Sequence, residues 1–174
     1  MLTSRNNKRS GMQLEWMGRY RGVLEKLIKY CNVYAQCFNK EINRIDDVSF
    51  SFAQIQVVEY LIENEELAQN MTMIASRLGI KQSQFSKLVS KLVSKGMLER
   101  YHAEGNRKSV IILASDFGKR IYAKYSQQIL NRHFAMMFEQ AKDLGQDEID
   151  AFERFLGAPY ANKAQHQCKK LIKL

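Results

Sequence analysis

Acids are missing where they would ordinarily be found. From Leu67 to Leu98, 32 residues contain no aspartate or glutamate, although 18 acids among 174 residues would place roughly three there. Arg77, Lys81, Lys87, Lys91 and Lys95 all fall in the same window. A solvated helix usually mixes signs, because Glu-to-Lys pairs four apart support it and acids favour its first turn. A segment that gives up both is suited to a polyanion, whose phosphates take up the lysine charge and release counterions.

Proline is nearly absent, with one residue against nine glycines, so most of the chain is expected in regular structure rather than linker. Long apolar runs are lacking too. Runs such as Val110–Ala114 are far too short for a bilayer, and no apolar segment follows Arg5, Lys8 and Arg9 as a signal peptide requires. Membrane association is therefore not expected. Three cysteines, Cys31, Cys37 and Cys168, are an odd number without metal-type spacing, which argues against a disulfide framework and for a reducing, cytoplasmic setting. Cys31 falls on an apolar stripe and reads as a buried, inert thiol, and Cys168 is the more reactive candidate. His102, His133 and His166 stand far apart, so neither a metal nor a cofactor is expected. No nucleophile–base pair, glycine-rich phosphate loop or paired carboxylates emerge, so the chain is not expected to be an enzyme.

The net charge of +9 is unevenly spread. Residues 1–12 carry +3, 13–66 carry −3, 67–120 carry +7, 121–162 carry −2 and 163–174 carry +4. A basic module thus sits between two mildly acidic helical segments, with basic tails at both ends. Such asymmetry points to nucleic acid more than to a membrane. Clustered Lys169, Lys170 and Lys173 either extend that contact or are simply solvated.

Taken in order, residues 1–12 read as a disordered basic tail. A helical stripe follows from Gln13 to about Arg44 (Leu14, Met17, Leu24, Leu27, Ile28, Cys31, Tyr34, Ala35, Phe38, Ile42), too broad for one small domain to cover, until Asp46-Asp47 interrupts it. Ser51 and Gln54 form a capping box that opens a helix to about Asn64. Asn70 caps a short helix through Leu78, which Gly79 stops. A longer helix runs from about Gln82 to Lys95, and Gly96 ends it. Its Phe85, Leu88, Val89 and Leu92 share one face, and Ser83, Ser86, Lys87, Ser90, Lys91 and Ser94 share the opposite one. Two helices joined by so short a glycine-containing turn make a helix-turn-helix. Strands at Met97–Tyr101 and Val110–Ala114 should flank a polar loop, His102–Ser109. Ser115 caps a helix to about Leu144, Gly145 breaks it, and Asp147 caps a last helix that Gly157-Ala-Pro159 ends near Leu156. Trp16, Tyr34, Phe134, Met136, Met137 and Phe138, at helical spacing, read as core or dimer interface before effector pocket.

The run Ile74–Ile80, then Ser83, Ser86–Val89, Leu92, Lys95-Gly96 and Leu98–Arg100, resembles the winged helix-turn-helix core of the MarR family of bacterial transcriptional regulators. Asn106-Arg107-Lys108 is similar to that family's acidic-Arg-Arg wing signature, and Ser115 with Gly118 to its Thr-x-x-Gly junction. Asn106 stands where an acid is usual, and Ser90 replaces another frequent acid. The resemblance implies a mainly α fold with a small β wing (α+β). It divides the chain into a basic tail (1–12), an N-terminal dimerisation helix and connection (13–50), a winged helix-turn-helix domain (51–120), and C-terminal dimerisation helices with a basic tail (121–174). It also implies a homodimeric repressor of transcription that binds double-stranded DNA at a pseudo-palindromic operator and responds to a small-molecule effector. By position, Gln82, Ser83, Gln84, Ser86 and Lys87 would lie at or near base edges, Lys91 and Lys108 would touch phosphate, and Arg107 would be the wing-tip residue. The residues alone also leave room for a winged-helix adaptor that binds an acidic protein through the same lysine face.

Overall fold

A computed structural model describes residues 15–67, 69–103 and 106–167. Residues 1–12, Cys168 and the lysines at 169, 170 and 173 lie outside the described residues. The chain divides into two compact units, with the boundary between Lys124 and Tyr125.

The first unit begins with a 3-10 segment, Glu15–Tyr20, broken at Gly18 where φ is 48. Helix α1 (Arg21–Cys37) follows. It stops seven residues before the expected Arg44, because residues 43–50 form an antiparallel hairpin of β1 (Asn43–Ile45) and β2 (Val48–Phe50) that the helical stripe concealed. The Asp46-Asp47 pair is its turn: Asp46 takes φ 51, a conformation short polar side chains tolerate. Lys124 closes on the Asp46 carboxylate at 2.7 Å, while Ile45 and Phe50 enter the core.

Helix α2 (Phe52–Glu63) opens on the expected capping box: Ser51 Oγ accepts from Gln54 N, and Gln54 Oε1 accepts from Ser51 N. Helix α3 (Met71–Arg77) is capped by Asn70, whose Oδ1 accepts from Met73 N. Helix α4 (Gln82–Ser94) buries Phe85, Leu88, Val89 and Leu92, the predicted stripe. Both helices end in the same Schellman arrangement. At Gly79 (φ 66), Ile80 N donates to Ala75 O and Gly79 N to Ser76 O. At Gly96 (φ 71), Met97 N donates to Leu92 O and Gly96 N to Val93 O.

The wing is longer than expected. Strand β3 (Leu98–Ala103) pairs antiparallel with β4 (Asn106–Ala114), so residues 106–109 continue a strand rather than a loop. An isolated bridge from Asn70 to Ile111 ties the start of α3 to β4. Helix α5 (Asp116–Ile129) begins beyond Ser115, whose Oγ donates to Gly96 O at 2.6 Å and accepts from Gly118 N at 2.9 Å. That junction is tight: a Cβ on Gly118 would lie 2.2 Å from Met97 O.

In the second unit a π turn, Leu130–Phe134, leads into α6 (Ala135–Ala141). Helix α7 runs from Gln146 to Gln167, past the expected stop at Gly157-Ala-Pro159. One glycine and one proline make helix costlier, by about 1 and 3 kcal/mol, without forbidding it where the flanking turns are strong. Asp147 sits inside its first turn, and the free N–H at Gly145 is met instead by Glu148 Oε2 at 2.7 Å.

No residue of α1 is buried within this single chain. Cys31 is accordingly exposed, against the expectation of a buried thiol, and Cys37 Sγ donates to the Tyr34 carbonyl at 3.2 Å. Trp16, Met136, Met137 and Phe138 are also exposed, so they are not monomer core.

Two glycine substitutions separate space from conformation. Gly118→Ala forces Cβ onto a backbone carbonyl and should cost about 3 kcal/mol. Gly96→Ala, where a Cβ meets nothing nearer than Phe117 at 3.9 Å, should cost only about 1 kcal/mol for its positive φ. Urea unfolding midpoints at unchanged m value would measure both.

Candidate nucleic-acid interface

Burial of its apolar stripe leaves the other face of α4 outward. Gln82, Ser83, Lys87, Ser90, Lys91 and Ser94 are exposed, and Gln84 and Ser86 are half-buried beside them. The structure therefore brings six of the eight sequence-predicted residues, Gln82, Ser83, Gln84, Ser86, Lys87 and Lys91, onto one helix surface. Arg107 and Lys108 belong to β4, and only their backbone is described.

The surface is organised by contacts that local patterns do not reveal. Arg100, on β3, donates from Nη2 to Ser90 Oγ at 2.9 Å, so the wing strand braces the middle of the helix. Gln84 Nε2 lies 3.5 Å from Asn39 Oδ1, just beyond the end of α1. Ser94 Oγ caps back onto Lys91 O at 2.8 Å. Among the described residues, Arg77, Lys81 and Lys87 make no ion pair.

One acid does reach this face. Glu41, 50 residues before Lys91 in sequence, places Oε1 2.9 Å from Lys95 Nζ and 4.0 Å from Lys91 Nζ. Gln54 Nε2 donates to the same Oε1 at 3.0 Å, and Ser49 Oγ to Oε2 at 3.4 Å. Lys95 Nζ also donates to Ser49 O at 2.6 Å. Lys95 thus serves the fold rather than the open face, which lowers the free charge below what the acid-free window implies. The Lys95 hydrogen bond holds the Glu41 carboxyl below its ordinary value, against an opposing effect of burial.

Other features stand apart from α4. A shallow depression of about 600 Å³ lies between α2 and α3, lined by Tyr60, Asn64, Leu67, Gln69, Thr72, Met73, Ser76 and Arg77. Tyr34 stacks on Tyr30 and meets Phe38 and Phe52, with its hydroxyl pKa raised chiefly by burial. Among the described residues no group of three His, Cys, Asp or Glu could hold a metal, and no helix is long and apolar enough to cross a membrane.

The family model of the MarR family matches residues 48–109, which span β2, the whole helix-turn-helix and most of the wing. The transcriptional repressor CouR, solved bound to a 23-mer DNA duplex, is 25% identical, with a TM-score of 0.61 over 83% of this chain and 96% of that one. The similarity to the MarR family thus lies in the helix-turn-helix and wing, residues 48–109. Two further structures are alike in fold. BldR of Sulfolobus solfataricus, a transcriptional regulator, is 18% identical with a TM-score of 0.59, covering 82% of this chain and 99% of its own. FabT of Streptococcus pneumoniae, solved in complex with DNA, is 18% identical with a TM-score of 0.57, covering 84% and 98%. No curated protein matches the sequence. Glu41 and Arg100 are contributors to this surface that the sequence patterns did not single out. Arg100 reaches Ser90 across ten residues and Glu41 reaches Lys95 across a far longer separation, both beyond the four-residue range of a helix pattern.

Because the paired Glu41 binds fewer protons folded than unfolded, its stabilisation is complete above its ordinary value of 4.5 and fades as pH falls through the lower folded value. Glu41→Gln should therefore flatten the acid limb of stability below pH 4.5 and leave its slope near neutrality unchanged. Chemical denaturation at a series of pH values checks this.

Proposed function

We propose that this protein is a MarR-family, sequence-specific, DNA-binding regulator of transcription, acting as a homodimer and as a repressor. The observation that carries the reading is the exposed Ser/Gln/Lys face of α4, held outward by a fully buried apolar stripe. In this reading each subunit lays α4 in a major groove. Gln84 and Gln82 offer bidentate pairing to adenine, Ser83 and Ser86 read donors or acceptors, and Lys87 takes guanine or phosphate. Lys91 and Lys108 neutralise phosphates, and Arg107 enters the adjacent minor groove.

The rows of exposed apolar residues on α1 (Val23, Ile28, Val33) and in the second unit (Met137, Phe138, Phe152) are what a second copy would cover. A two-fold dimer spaces its reading helices by about 34 Å and favours a pseudo-palindromic site. CouR is a repressor bound to DNA, which supports the direction of control. The protein works without catalysis, in the cytoplasm, as a switch whose affinity changes when an effector favours one separation of the two DNA-reading halves. A domain boundary near residues 50 and 120 fits this division of labour.

Binding should be measured by fluorescence anisotropy across a salt series, on DNA from upstream of the protein's own gene and on a scrambled duplex. A preference of about 10³ or more for the first is the expected result. Equal, weak, salt-sensitive binding to both would overturn the reading in favour of an acidic protein partner. Lys91→Ala should weaken all duplexes alike and, by freeing one phosphate in each subunit, flatten the salt slope by about one unit per subunit. Gln84→Ala should relax discrimination at one base pair by about 1–3 kcal/mol and leave the slope unchanged.

A further inference from the structure

The segment that leaves α1 is fastened to the DNA-binding half at three points. Phe38 O accepts from Ala53 N at 3.0 Å, in the first turn of α2. Asn39 Oδ1 faces Gln84 Nε2 at 3.5 Å, near the N-terminus of α4. Glu41 then ties the C-terminal turn of α4, through Lys95, to the capping box of α2, through Gln54. Gln54 Oε1 sits 3.4 Å from Lys95 Nζ, so carboxylate, amide and ammonium form a closed triangle of contacts.

We propose that Glu41 is a positioning residue for DNA recognition, whose carboxylate fixes α4 relative to α1 and so sets the separation of the two reading helices in the dimer. Two ends of one rigid helix are tied to one short segment, so a displacement of α1 is carried to α4 as a rigid-body shift rather than absorbed in a loose connection. On the regulator reading Glu41 is not among the base-reading residues; its contacts are with Lys95, Lys91, Gln54 and Ser49. Its effect is therefore on the agreement between two half-sites and not on the reading of either one. The inference rests on the regulator reading above.

The isosteric change separates geometry from charge. In Glu41→Gln, one oxygen can still accept from Lys95 and Gln54, and the new amide can donate to Ser49 Oγ, so the tie persists without its charge. Glu41→Ala removes both. Lys95→Met severs the same tie from the helix side while keeping an apolar stem.

The test uses the full-length protein and a duplex selected by the wild type from a random-sequence pool, compared with the same duplex after one half-site is scrambled. The readout is the ratio of the two affinities at fixed salt, with thermal melts to confirm folding. Glu41→Ala and Lys95→Met should lower that ratio by about ten-fold, the order of a typical coupling between sites, and tolerate inserted base pairs between half-sites better than wild type. Glu41→Gln should keep the wild-type ratio, even as loss of the negative charge raises affinity for every duplex alike. The inference is overturned if the ratio is unchanged in folded Glu41→Ala and Lys95→Met, or if Glu41→Gln falls as far as Glu41→Ala. A pool that yields no preferred duplex defeats the regulator reading itself, and this inference with it.

Discussion

The structure turns on the joint at Gly96, Met97, Ser115 and Gly118. Four elements meet there within a few residues: the end of α4, the start of β3, the end of β4 and the start of α5. Gly96 supplies the positive φ that lets the chain leave α4, and Met97, fully buried, returns its N–H to Leu92. Ser115 N then donates to Met97 O at 3.1 Å, and Ser115 Oγ reaches the Gly96 carbonyl. Only a residue without Cβ can stand at 118, because the Met97 carbonyl already occupies that space. The direction of α4, the root of the wing and the departure of α5 are consequently one geometric decision. With interiors packed to crystal-like density, none of the three can drift without the others.

The parts of the fold governed by contacts within about four residues were legible in advance. The Ser51–Gln54 capping box, the Asn70 cap, both glycine stops and the buried stripe of α4 are all local, and each stands where the pattern put it. The hairpin at residues 43–50 was not, since its strands are three residues each and lack the alternating run that marks a longer strand. Ile42, placed on the helical stripe by periodicity, is exposed beside it. The passage of α7 through Gly157 and Pro159 was hidden for the opposite reason: local breaker residues carry weight in sequence, but they oppose helix by a finite amount.

The outward face of α4 was legible in its composition and not in its charge. The helix wheel identifies which residues of α4 turn outward, because burial of Phe85, Leu88, Val89 and Leu92 leaves no other choice. It cannot show that Glu41 sits 4.0 Å from Lys91, or that Lys95 is spent on Glu41 and Ser49. An absence of acids in a window of sequence is a statement about neighbours along the chain, whereas electrostatics depends on neighbours in space.

That correction changes what α4 can contribute. With Lys95 tied down and Lys91 near a carboxylate, Lys87 is the lysine of α4 that stays free of ion pairs among the described residues. On the proposed reading, Lys87 and the largely exposed Lys91 together supply a modest, salt-sensitive attraction that cannot by itself hold a duplex. The remaining outward groups, Ser and Gln side chains, are neutral, short or pre-oriented, and gain by matching donors and acceptors on base edges rather than by charge. On the proposed reading such a face binds poorly wherever the match fails, and discrimination falls to base reading and to the geometry that presents the two copies of α4 together. The ties from residues 38–41 to α4 bear on that geometry.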